Sequence, residues 1–378
     1  MGDRGYFDYN ATTPLDQRVL EAMLPYLTER FANPSSVHLE GRLVRQAIEQ
    51  AREQVAALVN AHPSQVIFTS GGTEANNLAL KGIWLTDPDI RILVGAAEHE
   101  SVLQPAKRLQ ATTLPVDMQG RLDMTVLDAR LRSGAGLVSV MTVNNETGLI
   151  QDIKEITDRV LSHGALMHTD AVQALGKCSL DMPALGVQMM TLSSHKIYGP
   201  KGVGALVVDK GVSFEPLLHG GGHEKGRRAG TENVAGIIGF GRAAELVAQE
   251  WQARSQQLLS LRDGLETALM DALDEVMIFS REAGRVSNTC FFSVPGIDGE
   301  ALLLALDNTG FAVSSGSACG SKDTEPSHVL MAMGVETELA RGAVRISLGK
   351  ETTQLQVEAL VKAVKQQVET MRQQACSW

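Results

Sequence analysis

The sequence predicts an α/β architecture: a mostly parallel sheet with helices on both faces, followed by a smaller α+β region. Three observations predict it. From Gln65 to Leu192, short apolar runs alternate with amphipathic stretches, the rhythm of buried strands joined by crossover helices. Thr73, His99, Asn145, Asp170 and Lys196 each follow a different one of those runs. In a parallel sheet they converge on one edge, outside the strands' carboxyl ends, where ligands bind. Beyond a long helical segment, from about Glu232 past Leu265, the alternation gives way to a mixed pattern.

The elements follow in order. Tyr6 to Pro14 reads as a short strand and turn, and a helix follows with Val19, Leu20, Met23 and Leu27 on one face. Phe31 to Ser36 is a loop. From Arg42, apolar residues at Leu43, Ala47, Ile48, Ala51, Val55 and Leu58 predict an amphipathic helix. Gln65 to Thr69 is a strand that runs into Ser70-Gly-Gly-Thr-Glu-Ala75 and an Ala/Leu helix. Strands then fall at 91–95, 113–116, 137–143, 166–169 and 187–192, with helices at 101–109, 122–131 and 153–162 between them. After the long helical segment come strands at 287–294, 311–313 and 343–348, a helix at 299–306 and a closing helix. No repeat or low-complexity tract interrupts the chain.

Composition narrows the function classes. The chain has 378 residues, 44% hydrophobic and 21% charged, which fits a globular protein of two domains. A net charge of −10 and the lack of a Lys/Arg run argue against nucleic acid as a partner. No apolar run approaches the roughly 18 residues of a membrane span, and the first residues lack a signal peptide's apolar region. A cytoplasmic location is expected. Cys178, Cys290, Cys319 and Cys376 are scattered, without the paired spacing of a zinc site.

Lys196 stands in Ser193-Ser-His-Lys-Ile-Tyr-Gly-Pro-Lys-Gly202, where a buried strand enters a turn. A lysine there is either a solvated turn residue or a Schiff-base lysine for pyridoxal phosphate, which also needs an acid and a phosphate cradle. Gly71-Gly72-Thr73 joins a strand to a helix and is either an ordinary helix start or one whose N–H groups receive a phosphate. Asp170 ends a strand and is either a helix-capping aspartate or the acid that keeps a pyridine nitrogen protonated, with Gln173 one turn on, near the ring hydroxyl. His99 also lies at the carboxyl edge and is either a structural histidine or an imidazole that stacks on an aromatic ring and exchanges protons.

Among the cysteines, Cys178 and Cys290 sit in apolar surroundings and read as core, while Cys376 is close to the C-terminus. Cys319 lies in Ser314-Ser-Gly-Ser-Ala-Cys-Gly-Ser-Lys322, a segment with no core pattern. A loop cysteine of this kind suits a nucleophile that carries sulfur as a persulfide. Arg345, in Val344-Arg-Ile-Ser-Leu-Gly349, alternates with apolar neighbours. It is either an ion-paired strand residue or a bidentate grip on a substrate carboxylate.

Taken together, these residues resemble a cysteine desulfurase of the NifS/IscS-like group, in the class-V aminotransferase family of fold-type-I pyridoxal phosphate enzymes. The resemblance runs from Phe7 to about Gly349. It rests on Asp8-Tyr-Asn-Ala-Thr-Thr13, Asn33-Pro-Ser-Ser36, Ser70-Gly-Gly-Thr-Glu74, Glu98-His99, Asn144-Asn-Glu-Thr-Gly148, His168-Thr-Asp-Ala-Val-Gln173, Ser193 to Gly204, Gly220 to Asn233 and Ser314-Ser-Gly-Ser-Ala-Cys319. The last of these, with Glu325-Pro-Ser-His-Val-Leu330, resembles the long-loop subgroup.

The resemblance implies a large domain, residues 15–250, with a mostly parallel seven-stranded sheet sandwiched by helices. It implies a small α+β domain, residues 1–14 and 251–378, that carries the cysteine loop. Lys196 would form the Schiff base with pyridoxal 5′-phosphate, Asp170 would pair with its pyridine nitrogen, Gln173 would contact its ring oxygen, and His99 would stack on the ring. Gly72, Thr73, Ser193 and His195 would hold the phosphate, and Thr231 would reach the phosphate of a partner subunit, so a homodimer is expected. Asn145 and Arg345, with Asn33 nearby, would bind the carboxylate of L-cysteine. Asn145 is also expected to contact the cofactor. Cys319 would be the nucleophile, with His99 as a candidate base, and a transient Fe–S ligand; the cofactor site itself implies no metal. The sulfur would pass to an acceptor or Fe–S scaffold protein, for cluster assembly, a thio-cofactor or tRNA thiolation.

Two departures stand out. Gly320 replaces the Thr expected after Cys319, and the chain ends at Trp378 without the extension that housekeeping relatives use on their scaffold protein. Selenocysteine lyase, or another class-V lyase or aminotransferase, is the alternative within enzymes. A non-catalytic partner protein of the same fold is the alternative outside them.

Overall fold

The computed structural model describes residues 5–315 and 326–375. Seven strands form the main sheet. In space they run Val66–Thr69, Gly204–Val208, Met189–Ser193, Leu166–Asp170, Leu137–Ser139, Ile92–Gly95 and Thr112–Leu114. Gly204–Val208 is antiparallel to both neighbours, and the other neighbouring pairs are parallel. Six strands therefore point their carboxyl ends to one edge. The sequence pattern anticipated those six. Gly204–Val208 is additional and runs the other way.

Apart from the edge strand Thr112–Leu114, the strands are buried on both faces, so their side chains alternate between two cores. Val66, Phe68, Met190, Leu192, Ala205 and Val207 face one cluster, with Val19, Val44, Ile48, Val55, Leu127 and Ile156 from its covering helices. Ile67, Met189, Leu206 and Val208 face the other, with Leu78, Leu80, Ile83 and Val102. The helices of the first face are Gln17–Thr28, Leu39–Leu58, Met124–Arg132, Ile153–Ser162 and the start of Val234–Ala272. Those of the second are Gly72–Thr86 and Glu100–Arg108. Caps set several starts. Asp123 accepts from Thr125 N and Val126 N, Asp152 from Glu155 N, and Asn233 from Gly236 N.

The helix Val234–Ala272 connects two cores. Ala235 to Val247 belong to the first cluster, whereas Leu258, Leu261, Leu265 and Leu269 belong to a separate one. That second core also contains Phe7, Cys290, Phe292, Val344 and Ile346, with Leu302, Leu306, Leu360 and Val364 from two helices. Its antiparallel sheet runs Ser314–Ser315, Val344–Ser347, Thr289–Ser293 and Met277–Ile278. The N-terminal strand Gly5–Tyr6 pairs with Phe311–Ala312. Residues 8–16 then cross back and stitch onto the Lys196 turn. Thr13 N bonds His195 O at 3.1 Å, and Asp16 N bonds Tyr198 O at 3.0 Å. No helix among the described residues is long and apolar enough to cross a membrane.

Candidate active site

Lys196 closes a single turn, Ser194–Lys196, directly after the strand Met189–Ser193. Gly199 keeps this turn tight, since a Cβ there would lie 2.0 Å from Ser194 Oγ. The Lys196 amine donates to the backbone carbonyls of Asn10 and Ala11, the latter at 2.8 Å. The N-terminal segment thus holds the lysine. Tyr198, with a left-handed φ of 66°, takes its N–H bond to Thr13 Oγ1 at 2.8 Å.

Asp170 ends its strand and is buried. Its Oδ1 accepts from Val172 N at 2.9 Å and its Oδ2 from Asn76 Nδ2 at 2.7 Å. Asn76 lies on the helix Gly72–Thr86 and also donates to Ser101 Oγ at 2.8 Å. That hydroxyl lies 2.8 Å from His99 Nδ1, which also accepts from Ser101 N at 3.1 Å. A backbone N–H only donates, so Nδ1 carries no proton and Nε2 does. Burial, helped by the Lys196 charge and opposed by Asp170, lowers the His99 pKa below the ordinary histidine value. His99 is therefore a neutral Nε2–H donor that also caps the helix Glu100–Arg108.

The helix Gly72–Thr86 starts without a side-chain cap, which leaves N–H groups open to an anion. Gly72 is required there, because a Cβ would meet Val172 Cγ2 at 2.9 Å. Thr73 is exposed beside it. Ser193 Oγ is buried and without a partner among the described residues. His195 Nδ1 lies 3.1 Å from Thr12 Oγ1, and burial with Lys196 and Lys201 nearby lowers its pKa to about 4.

Arg345 is nearly buried. It donates to Asn145 O at 3.0 Å and pairs with Asp8 at 2.7 Å. Its Nε and the side-chain Oδ1 of Asn145 have no partner among the described residues. Asn33 is exposed, and its Oδ1 accepts from Ser35 N at 2.8 Å. No hydrogen bond among the described residues joins Asn33 to Asn145 or Arg345. Thr231 is exposed, and its hydroxyl has no hydrogen bond among the described residues. Burial raises the Cys178 thiol to about 11 and the Cys290 thiol further. Neither is a thiolate near neutral pH. Cys319 and Cys376 lie outside the described residues.

Three residues that sequence reasoning left without a role join this network. Asn10 bonds Lys177, Gln173, Asn145, Thr289 and the Lys196 amine. Asn76 and Lys177 are the others. Asn10 stands inside the Asp8 to Thr13 stretch, which did carry a signal. Asn76 and Lys177 carried none, because a polar residue on a helix or turn is ordinarily solvated.

The aminotransferase class-V family model matches residues 5–360. Cysteine desulfurase IscS of Dictyoglomus turgidum is 43% identical over 374 residues, covering 97% of this chain and 95% of that protein. Cysteine desulfurase IscS 1 of Archaeoglobus fulgidus is also 43% identical, covering 97% of each. Among solved structures, a NifS-like protein superimposes with a TM-score of 0.90 at 37% identity, covering 97% of this chain and 100% of that one. A structure described as SspA in complex with cysteine gives a TM-score of 0.81 at 33% identity, covering 92% and 100%. A full-length family match, the same fold and a polar cluster at the sheet's carboxyl edge lead to one conclusion: the chain belongs to the class-V aminotransferase family, on its cysteine desulfurase branch.

Proposed function

We propose that this cysteine desulfurase uses pyridoxal phosphate to take sulfur from L-cysteine, releasing L-alanine and holding the sulfur as a persulfide on Cys319. One observation carries the reading. Asp170, His99 and Lys196 meet at a single sheet edge beside an uncapped helix start, while Ser193 Oγ, Asn145 Oδ1 and Arg345 Nε are buried without partners among the described residues. Buried polar atoms are ordinarily satisfied, so this set fits a polar ligand. The solved relative described with cysteine supports the substrate.

Gly72, Thr73, Ser193 and His195 would hold the phosphate, Asp170 the pyridine nitrogen, and Gln173 and Asn145 the ring substituents. When bound, the cofactor supplies an electron sink for negative charge at the substrate α-carbon. Lys196 would hold the cofactor, and its Nζ is placed to take the α-proton of the substrate. The carbonyls of Asn10 and Ala11 then suit the resulting ammonium. His99 would stack on the ring and offers Nε2–H as a hydrogen-bond donor. With Nδ1 bonded to Ser101, the neutral ring offers a hydrogen bond through Nε2–H, not a proton, since losing that proton would leave an imidazolate. Arg345 turns from Asp8 to the substrate carboxylate, with Asn145 beside it.

The Cys319 thiolate attacks the substrate sulfur. An S–S bond forms and the Cβ–S bond breaks, its electron pair passing to the β-carbon, which takes a proton to give alanine. One thiol and one cysteine thus become one persulfide and one alanine. A sulfur-acceptor or Fe–S scaffold protein would consume the persulfide, in cluster assembly, thio-cofactor synthesis or tRNA thiolation. The exposed Thr231 supports a homodimer in which it reaches the partner's phosphate. The two cores joined by Val234–Ala272 support a large domain at 15–250 and a small one at 1–14 and 251–378.

The test is cysteine-dependent release of sulfide and alanine in the presence of a reductant. Wild type should form both in equal amounts. Cys319→Ala should keep its visible absorbance and lose sulfide release. Normal sulfide production by Cys319→Ala sinks the nucleophile assignment, and alanine formation by neither protein sinks the reaction.

A further inference from the structure

Lys177 is half-buried beside the site, its amine desolvated, and it has no part in the chemistry above. It lies one turn beyond Gln173, and a buried amine is costly unless bonded. Its Nζ donates to Gln173 Oε1 and to Asn10 Oδ1, each at 2.7 Å. Backbone carbonyls settle both amide orientations, because they only accept. Gln173 Nε2 bonds the carbonyl of Asn10 at 2.9 Å, so Oε1 is the atom turned to Lys177. Asn10 Nδ2 bonds the carbonyl of Asn145 at 3.1 Å, so Oδ1 is the atom turned to Lys177. Desolvation, with Lys196 and Arg345 nearby, holds the Lys177 pKa well below the ordinary lysine value. Charged or neutral, an amine has N–H groups enough for both oxygens.

We propose that Lys177 is a positioning residue. It locks the Gln173 amide so that the side chain offers an N–H, and not its carbonyl, to the cofactor's ring oxygen. This rests on the cofactor reading above. One Nε2 proton goes to Asn10, and the second stays available to a ligand acceptor. Without the Lys177 amine, Gln173 Oε1 loses a donor in a buried setting, Asn10 Oδ1 keeps Asn288 Nδ2 at 3.1 Å, and the amide keeps its orientation through the Asn10 carbonyl with half of its support gone.

A hydrogen bond donated to the ring oxygen stabilises negative charge there. Losing it raises the pH at which the visible band of the cofactor-loaded protein converts. The experiment is a pH titration of that band, with retention of added pyridoxal phosphate measured by equilibrium dialysis. Lys177→Met should move the midpoint up by about one unit, a tenfold change in the proton equilibrium, and weaken retention by a similar factor. Lys177→Gln, which keeps a donor, should move it less than half as far. In a Gln173→Ala background, Lys177→Met should add nothing, which separates action through Gln173 from a direct charge effect.

A Lys177→Met titration identical to wild type overturns the proposal. So does an equal shift in Lys177→Gln, or an undiminished shift in the Gln173→Ala background. A wild-type protein with no visible cofactor band overturns the cofactor reading, and this proposal with it.

Discussion

Glu224 sits where the chain takes a left-handed turn, φ 47°, on the way to Thr231. Its carboxylate is gripped by Arg52, Nη1 to Oε2 at 2.7 Å and Nη2 to Oε1 at 2.8 Å, and Oε2 also accepts from Phe68 N at 3.1 Å. Both side chains are buried, 8% and 3% exposed. Glu224→Ala would leave the guanidinium buried against the Phe68 ring at 4.8 Å, with Val66 O at 2.9 Å and the exposed carboxylate of Glu49 at 3.2 Å as its hydrogen-bond partners among the described residues. Breaking a buried pair from one side costs about 3–5 kcal/mol. That is a large share of the roughly 5–15 kcal/mol that keeps a protein folded. With a urea dependence of about 3 kcal/mol per M, the midpoint should fall by about 1–1.7 M. The double variant Arg52→Met with Glu224→Met should recover more than half of that fall, because an apolar pair of similar volume leaves no buried charge. Urea denaturation followed by far-UV circular dichroism reads both. A fall below about 0.3 M in Glu224→Ala, or a double variant no more stable than the single, would refute the account of a charge stranded by its partner's loss.

Other expectations are briefer. Lys196→Ala should lose both the visible band and turnover, read by absorbance and alanine release. Arg345→Lys loses the planar fork that suits a carboxylate, so KM for cysteine should rise about 10–100-fold with kcat less affected, for a lost charged hydrogen bond of about 1.5–3 kcal/mol. Steady-state kinetics check this, and an unchanged KM counts against the carboxylate role. His168 is fully buried between Ser139 Oγ at 2.8 Å and Thr191 Oγ1 at 3.0 Å, and burial lowers its pKa to about 3. Its folded value lies below its unfolded one, so its contribution is intact above about pH 6.5 and is lost as pH falls toward 3. By pH 5 that loss amounts to about 2 kcal/mol. His168→Gln should flatten the acid limb of a stability–pH curve, and an unaltered limb would contradict the assignment.

Much of the fold was legible because burial of a face repeats along the chain. Val66, Phe68, Met190 and Leu192 point to one core, and Ile67 and Met189 point to the other, as local periodicity requires. The strand Gly204–Val208 escaped that reading. An antiparallel strand that follows a turn carries no crossover helix to announce it. The boundaries moved by a residue or two at most elements, where caps such as Asp123 and His99 set the starts. The segment at 137–143 was shortened to Leu137–Ser139.

The sequence by itself determined the α/β class and the gathering of Asp170, His99 and Lys196 at the sheet's carboxyl edge. Strand ends and turn signals are local, and a parallel sheet gathers them without further information. Only the tertiary structure decided how those residues are held. Asn76 reaches Asp170 from 94 positions away, Asn10 meets Gln173 across 163, and Lys177 bonds Asn10 across 167. Such bonds depend on which polar atoms packing leaves facing one another, and the direction of a donor is not written in hydrophobic spacing. The same reason turns His99 into a neutral Nε2–H donor and makes Lys177, an unremarked lysine in the chain, the residue that orients Gln173.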